Sequence, residues 1–124
     1  MRKEKAKIVV VDDDKEVGEV LQMHLMGKGY QVFLACSGIE ALELIRAEAP
    51  HLLLLDKRMP QMRGLDLLVQ VRQFNPHIKV ILMSADILDA DTLLCMQKFS
   101  VSAYLEKPMN ISDLDSAVES ALGS

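Results

Sequence analysis

Leu52-Leu53-Leu54-Leu55-Asp56 is a run of four leucines closed by an aspartate. A strand with one wet face alternates apolar and polar residues, whereas a run apolar at every position suits a strand buried on both faces. Two other runs share the form. Ile8-Val9-Val10-Val11 leads into Asp12-Asp13-Asp14, and Val80-Ile81-Leu82-Met83 leads into Ser84-Ala85. Gln31 to Ala35 and Val101 to Leu105 are weaker versions. Between the runs, apolar residues recur at helical spacing. The stripes are Val17, Val20, Leu21, His24 and Leu25; Ala41, Leu42 and Ile45; Leu67, Val71 and Phe74; Ala90, Leu93, Leu94 and Gln97; and Ile111, Leu114, Val118, Ala121 and Leu122.

Helix signals fall between the same segments. Asp14 is placed to cap the first helix, and Gly29 stands where a C-terminal cap belongs. Ser37-Gly38-Ile39-Glu40 reads as a capping box. Pro50 and Pro76 each close a helix before the next strand, and Asn110 caps the last helix after Pro108. The result is strand then helix, five times over. The expectation is an α/β fold: a five-stranded parallel sheet, doubly wound as (βα)5 with flavodoxin-like topology and helices on both faces.

The 124 residues suit one domain spanning 1–124. Half of them are hydrophobic and 26% are charged, enough for one core and a soluble surface. No apolar run approaches the ~18 residues of a membrane span. The basic start Met-Arg-Lys-Glu-Lys meets an apolar stretch too short for a secretory signal, so a cytoplasmic protein is expected, without a membrane role. The net charge of −4 gives no electrostatic case for nucleic acid. Cys36 and Cys95 match no metal or redox spacing and are expected as reduced thiols. His24, His51 and His77 show no ligand spacing either.

In a doubly wound sheet the functional crevice lies beyond the carboxyl ends of the strands. There the sequence puts Asp12 and Asp13 after strand one, Asp56 at strand three, Ser84 at strand four and Lys107 after strand five. Each alone is an ordinary loop residue; together they bring three carboxylates, a hydroxyl and an ammonium to one rim. Clustered carboxylates repel, and a metal ion or a shifted pKa relieves the repulsion. The set suits phosphoryl transfer. An aspartate forms an aspartyl phosphate, magnesium takes hard oxygen ligands, and a lysine supplies a compact positive charge.

With these motifs in this order the chain resembles a response-regulator receiver domain of two-component signalling. The resemblance covers essentially the whole chain. It is carried by Ile8 to Asp14, by Leu54-Leu55-Asp56-Lys57-Arg58-Met59-Pro60 with Gly64, by Met83-Ser84-Ala85, and by Tyr104-Leu105-Glu106-Lys107-Pro108. It implies a phosphoacceptor at Asp56 and Mg2+ or Mn2+ held by Asp13 directly, Asp12 mostly through water, Asp56, and the backbone carbonyl of Arg58. It further implies that Ser84 and Lys107 bind phosphoryl oxygens and that Tyr104 is the switch aromatic, turning inward as Ser84 moves. The implied phosphodonor partner is a histidine kinase or phosphotransfer protein. The face made by helix four, strand five and helix five would meet an output domain, a partner protein or, after phosphorylation, a second copy. Such a domain is a phosphoacceptor that assists its own labelling and slow dephosphorylation, not an enzyme acting on other substrates.

Four positions depart from the family pattern. Lys57 stands where an apolar or aromatic residue is usual, and Arg58 where Met or Asn is common. Ser100-Val101 replaces Gly-Ala, and the interval from Ser84 to Tyr104 is about one residue longer than the family pattern. These changes bear on helix four and its flanking loops. Arg58 and Asp86, two residues past the acceptor and the hydroxyl respectively, carry opposite charges, and an ion pair across the mouth of the site is expected to narrow the path of water. Rival readings fit less well. A calcium loop starting at Asp12 would need glycine and glutamate where Val17 and Met23 stand. A flavin protein of this topology would need a Ser/Thr/Gly-rich loop after strand one, and a dehalogenase-type phosphatase an aspartate where Arg58 stands. A pseudo-receiver that binds a partner without phosphorylation is the remaining alternative.

Overall fold

A computed structural model describes residues 6–59 and 62–123 of the chain. Pro60 of the acceptor motif and the basic residues 1–5 lie outside the described residues. The elements are β1 (Lys7–Val11), α1 (Lys15–Gly27), β2 (Gln31–Ala35), α2 (Gly38–Glu48), β3 (Leu52–Asp56), α3 (Gly64–Phe74), β4 (Lys79–Ser84), α4 (Ala90–Lys98), β5 (Ala103–Glu106) and α5 (Ile111–Ala121). All pairings are parallel, and the strand order is β2-β1-β3-β4-β5. This is the doubly wound, flavodoxin-like fold expected; the alternation of runs and stripes carries the parallel sheet, and the structure adds which strand lies beside which.

The continuous apolar runs are explained by two cores, one on each side of the sheet. Side chains alternate along a strand, so Leu52 and Leu54 join Ile8, Val10, Ile81 and Met83 beneath α1 and α5. Leu53 and Leu55 join Val9, Val11, Val80 and Leu82 beneath α2 and α3. β3 is buried at every position.

The caps follow their chemistry. Asp14 accepts from the Glu16 and Val17 amides, and Asn110 accepts from the Ser112 amide. Gly29, at φ 101°, follows α1 in the left-handed conformation that favours glycine. Ser37 caps Glu40, but the Glu40 carboxylate reaches back to the Cys36 amide rather than to the cap residue. Both cysteines are free thiols. Among the described residues no helix is long and apolar enough to cross a membrane.

Two expectations change. The last strand begins at Ala103, not Val101. More consequentially, α4 is turned away from its apolar stripe. Ala90, Leu93, Leu94 and Gln97 face solvent, Leu94 being 63% exposed. Thr92 is buried instead, with Cys95, Met96 and Phe99 partly packed on the core. Contacts outside α4 set this rotation. Asp89 accepts from the Thr92 amide and fixes the first turn, while Arg72 of α3 donates to the Phe99 carbonyl at 2.8 Å and the Ser100 carbonyl at 3.4 Å.

Candidate functional site

Strand register assembles the site. Val11 pairs with Leu55, so Asp12, one residue on, comes beside Asp56. Asp56 pairs with Met83 and Ser84 with Glu106, which delivers Ser84 and Lys107 to the same rim. Asp12 and Asp56 are buried, and Asp13 is exposed. The Lys107 ammonium lies between the two buried carboxylates, 2.7 Å from Asp12 Oδ2 and 3.2 Å from Asp56 Oδ2. The remaining oxygens are held by backbone: Asp12 Oδ1 accepts from the Asp14 amide and Asp56 Oδ1 from the Arg58 amide, both at 3.0 Å.

Burial pushes the Asp56 carboxyl up from 3.8 to about 6, against the Arg58 amide and the Lys107 ammonium, which lower it. The nearby Asp12 charge adds to the rise. Burial alone would lower the Lys107 ammonium, but its bonds and charge contacts with Asp12 and Asp56 leave it raised. Asp56 is therefore ionised at neutral pH and Lys107 protonated. One carboxylate oxygen from each of Asp12, Asp13 and Asp56 lies within 4.8 Å of the others. Ligands of one magnesium-sized ion sit at most about 4.2 Å apart, twice the ~2.1 Å metal–oxygen distance. A small closing of the exposed Asp13 side chain lets these three hard oxygen donors hold a divalent cation.

Gly64 brings the start of α3 hard against the end of β3. A Cβ there would stand 2.2 Å from the Asp56 carbonyl oxygen and 2.8 Å from Lys57 Cα, so only glycine lets α3 begin against this backbone. The Gly64 amide donates to the Lys57 carbonyl at 2.8 Å, completing the contact.

Three parallel strands thus bring a buried aspartate of raised pKa, two further carboxylates and a lysine to one rim, in a sheet of order 2-1-3-4-5. A family model described as the response regulator receiver domain matches residues 8–119. The chain belongs to that family. Several relatives agree. The transcriptional regulatory protein ZraR of Escherichia coli K12 is 39% identical over 115 residues, which are 93% of this chain and 26% of that protein. The sporulation initiation phosphotransferase F of Bacillus subtilis is 31% identical over 116 residues, covering 94% of this chain and 93% of the relative. The crystal structure of a CheY-like response regulator receiver domain protein from Methanospirillum hungatei superposes with TM-score 0.88 at 28% identity, over 94% of this chain and 93% of the other. This receiver domain spans about a quarter of the length of the ZraR relatives.

The receiver's remaining candidate residues lie on the other side of the rim. Asp56 shares the strand face of Leu52 and Leu54, whereas Tyr104 packs with the opposite core. Ser84 is buried, and its hydroxyl accepts from the Asp86 amide at 3.0 Å rather than meeting the carboxylates. Tyr104 is half-buried, and its hydroxyl donates to the Asp86 carbonyl at 2.8 Å. The Asp86 carboxylate pairs with Arg58 Nε. Asp86 therefore joins Ser84, Tyr104 and Arg58 through three different groups. Sequence reasoning reached only its side chain, because the other two contacts are made by backbone atoms that no residue type reveals. Gly64 entered the sequence reading only as part of a motif; its role comes from a close approach between segments. Lys57 stood out there as a departure, and its partner Asp89, 3.8 Å away, was not foreseen.

Proposed function

We propose that this receiver domain accepts a phosphoryl group on Asp56 from the phosphohistidine of a histidine kinase or phosphotransfer protein, with Mg2+ or Mn2+ bound by Asp12, Asp13, Asp56 and the Arg58 carbonyl. The observation that carries this reading is the Lys107 ammonium held between buried Asp12 and Asp56, with Asp13 alongside. An ionised Asp56 oxygen attacks phosphorus, the P–N bond of the donor breaks, and the imidazole leaves as the new P–O bond forms. Transfer of this kind depends on positioning and on neutralising charge at the phosphoryl oxygens. Lys107 is placed to follow its charge from the Asp56 carboxylate to a phosphoryl oxygen. The metal, when bound, neutralises the others. The Arg58 amide and the Gly64 contact keep the nucleophile still.

Signalling then runs through Ser84 and Tyr104. A phosphoryl oxygen accepts from the Ser84 hydroxyl and draws it away from its place beside the Asp86 amide, and the Asp86 carbonyl holds Tyr104 beside the same loop. The face of α4, β5 and α5 meets an output domain or partner protein in the cytoplasm. The relatives' names, a transcriptional regulatory protein and a phosphotransferase, suit either arrangement.

The test is labelling by acetyl phosphate with and without Mg2+, read by intact mass and peptide mapping. One phosphoryl group on Asp56, metal-dependent and missing in Asp56→Asn, is expected. Lys107→Ala should spare metal binding and impair labelling or its structural effect. Labelling of another residue at the wild-type rate refutes the assignment. No labelling together with an intact partner interaction would favour the pseudo-receiver alternative.

A further inference from the structure

We propose that Lys57 is a positioning residue that ties the first turn of α4 to the acceptor strand through Asp89. Lys57 directly follows Asp56, and its own backbone is fixed on both sides. Its amide donates to the Met83 carbonyl, and its carbonyl accepts from the Gly64 amide, each at 2.8 Å. Its side chain is only 14% exposed, and among the described residues Asp89 is its one ion pair, Nζ to Oδ2 at 3.8 Å. An ammonium withdrawn this far from water needs a counter-charge.

Asp89 is well placed to transmit the constraint. It is the N-cap of α4: Oδ1 accepts from the Thr92 amide at 2.7 Å while Oδ2 faces Lys57. The Thr92 bonds hold the Asp89 carboxyl below its ordinary range, with Lys57 contributing less. Thr92 is the one residue of α4 that is fully buried. At the far end Arg72 donates to the carbonyls of Phe99 and Ser100. The helix is thus held at both ends by cations, one borne on the residue just past β3 and one on α3, with little packing between. An element with so few buried apolar side chains opens at low free energy, and there even a modest ion pair shifts its position measurably.

The consequence for signalling rests on the reading that Asp56 is phosphorylated. A phosphoryl group on Asp56 would add negative charge at the residue before Lys57, next to the cleft that Lys57 lines with Asp13, Arg58, Asp86 and Asp89. Two anions then compete for one ammonium, and the first turn of α4 loosens as the phosphoryl group gains. This route from Asp56 to α4 is separate from Ser84 and Tyr104.

The experiment compares hydrogen exchange at the Thr92 amide in wild type, Lys57→Met, Asp89→Asn and the double variant, first without phosphodonor. Asparagine caps a helix as well as aspartate does, so Asp89→Asn removes the charge and keeps the cap. Lys57→Met removes the ammonium and keeps the stem. Each single variant is expected to exchange about two- to fivefold faster, the range of a partly exposed pair, and the double no faster than the singles. High salt should accelerate wild type and leave the variants unchanged. Unchanged singles, or effects that multiply in the double, overturn the tether. A second arm adds acetyl phosphate with Mg2+ and monitors occupancy of Asp56 by mass. All variants should label equally, with a smaller response of the α4 amides in Lys57→Met. Equal occupancy with an undiminished α4 response overturns the signalling role. A wild type that shows the tether but takes no label upholds the tether and overturns the reading beneath its signalling role.

Discussion

Replacing Asp56 by asparagine should make the protein more stable, although it removes the proposed nucleophile. The Asp56 carboxyl is raised from 3.8 to about 6 in the folded chain, chiefly by burial. Because the folded value is the higher one, the folded state binds the extra proton between these two values. Stability from this group is therefore greatest at low pH, declines as pH rises from about 4 to about 6, and is lowest above that. At about 1.36 kcal/mol per pH unit the full penalty is at most about 3 kcal/mol. Asparagine keeps the shape and an oxygen for the Arg58 amide, and Lys107 keeps Asp12. We expect a gain of about 1–3 kcal/mol at pH 7.5 in the presence of a chelator. In a domain of this size that is a rise in Tm of about 3–5 °C per kcal/mol. Thermal and urea unfolding followed by circular dichroism, at pH 7.5 and pH 4, measure it. The gap should narrow to a small fraction of that value at pH 4, where the folded wild type is protonated at Asp56 and most of the penalty is relieved. An Asp56→Asn variant no more stable than wild type at pH 7.5, or a gap undiminished at pH 4, would refute the assignment of a strained, buried carboxylate.

Further outcomes are expected. Mg2+ at ten times its Kd should stabilise the wild type by about 1.4 kcal/mol, and Asp13→Asn should remove most of that rise in Tm. Arg58→Ala and Asp86→Ala should each shorten the lifetime of the Asp56 phosphoryl group while changing stability by under about 1 kcal/mol; a double variant no faster than the quicker single marks a shared gate, and additive rates would separate the two residues. Gly64→Ala should destabilise by at least about 2 kcal/mol, because its Cβ would meet the Asp56 carbonyl oxygen at 2.2 Å, and acetyl phosphate labelling should slow with it. Ser100 sits at φ 57°, a conformation costing an L-residue about 1–2 kcal/mol, so Ser100→Gly should gain about 0.5 kcal/mol after glycine's greater unfolded-state entropy, read by urea unfolding.

The strands were legible because burial on both faces demands apolar residues at every position, as in Leu52 to Leu55 and Val80 to Met83. The carboxylates and Lys107 were legible because each stands where a strand runs out, and parallel register brings those ends together. Helix α4 was not legible. Its apolar stripe predicts a buried Leu93 and Leu94, yet Thr92 faces inward, since the helix is placed by Asp89, Lys57 and Arg72 and not by its own pattern. The Ser100 departure has a plain reading: glycine suits a left-handed residue there, and serine keeps the turn at an energetic cost. The Asp86 contacts to Ser84 and Tyr104 use backbone groups common to all residues, so no side-chain code announces them.

The close seat of Gly64 against the Asp56 carbonyl has a mechanical meaning. A vice works because one jaw is bolted to the bench. Here β3, locked between β1 and β4 and backed by the start of α3, is the bolted jaw, and in the proposed switch the chain from Ser84 to Ser102 is the sliding one. The Asp56 carboxylate at the fixed jaw keeps its backbone support whatever the other jaw does. Alterations to loop length or composition between Ser84 and Ser102 are expected to leave the placement of Asp56 untouched, whereas a single added methyl group at Gly64 would throw it out of true.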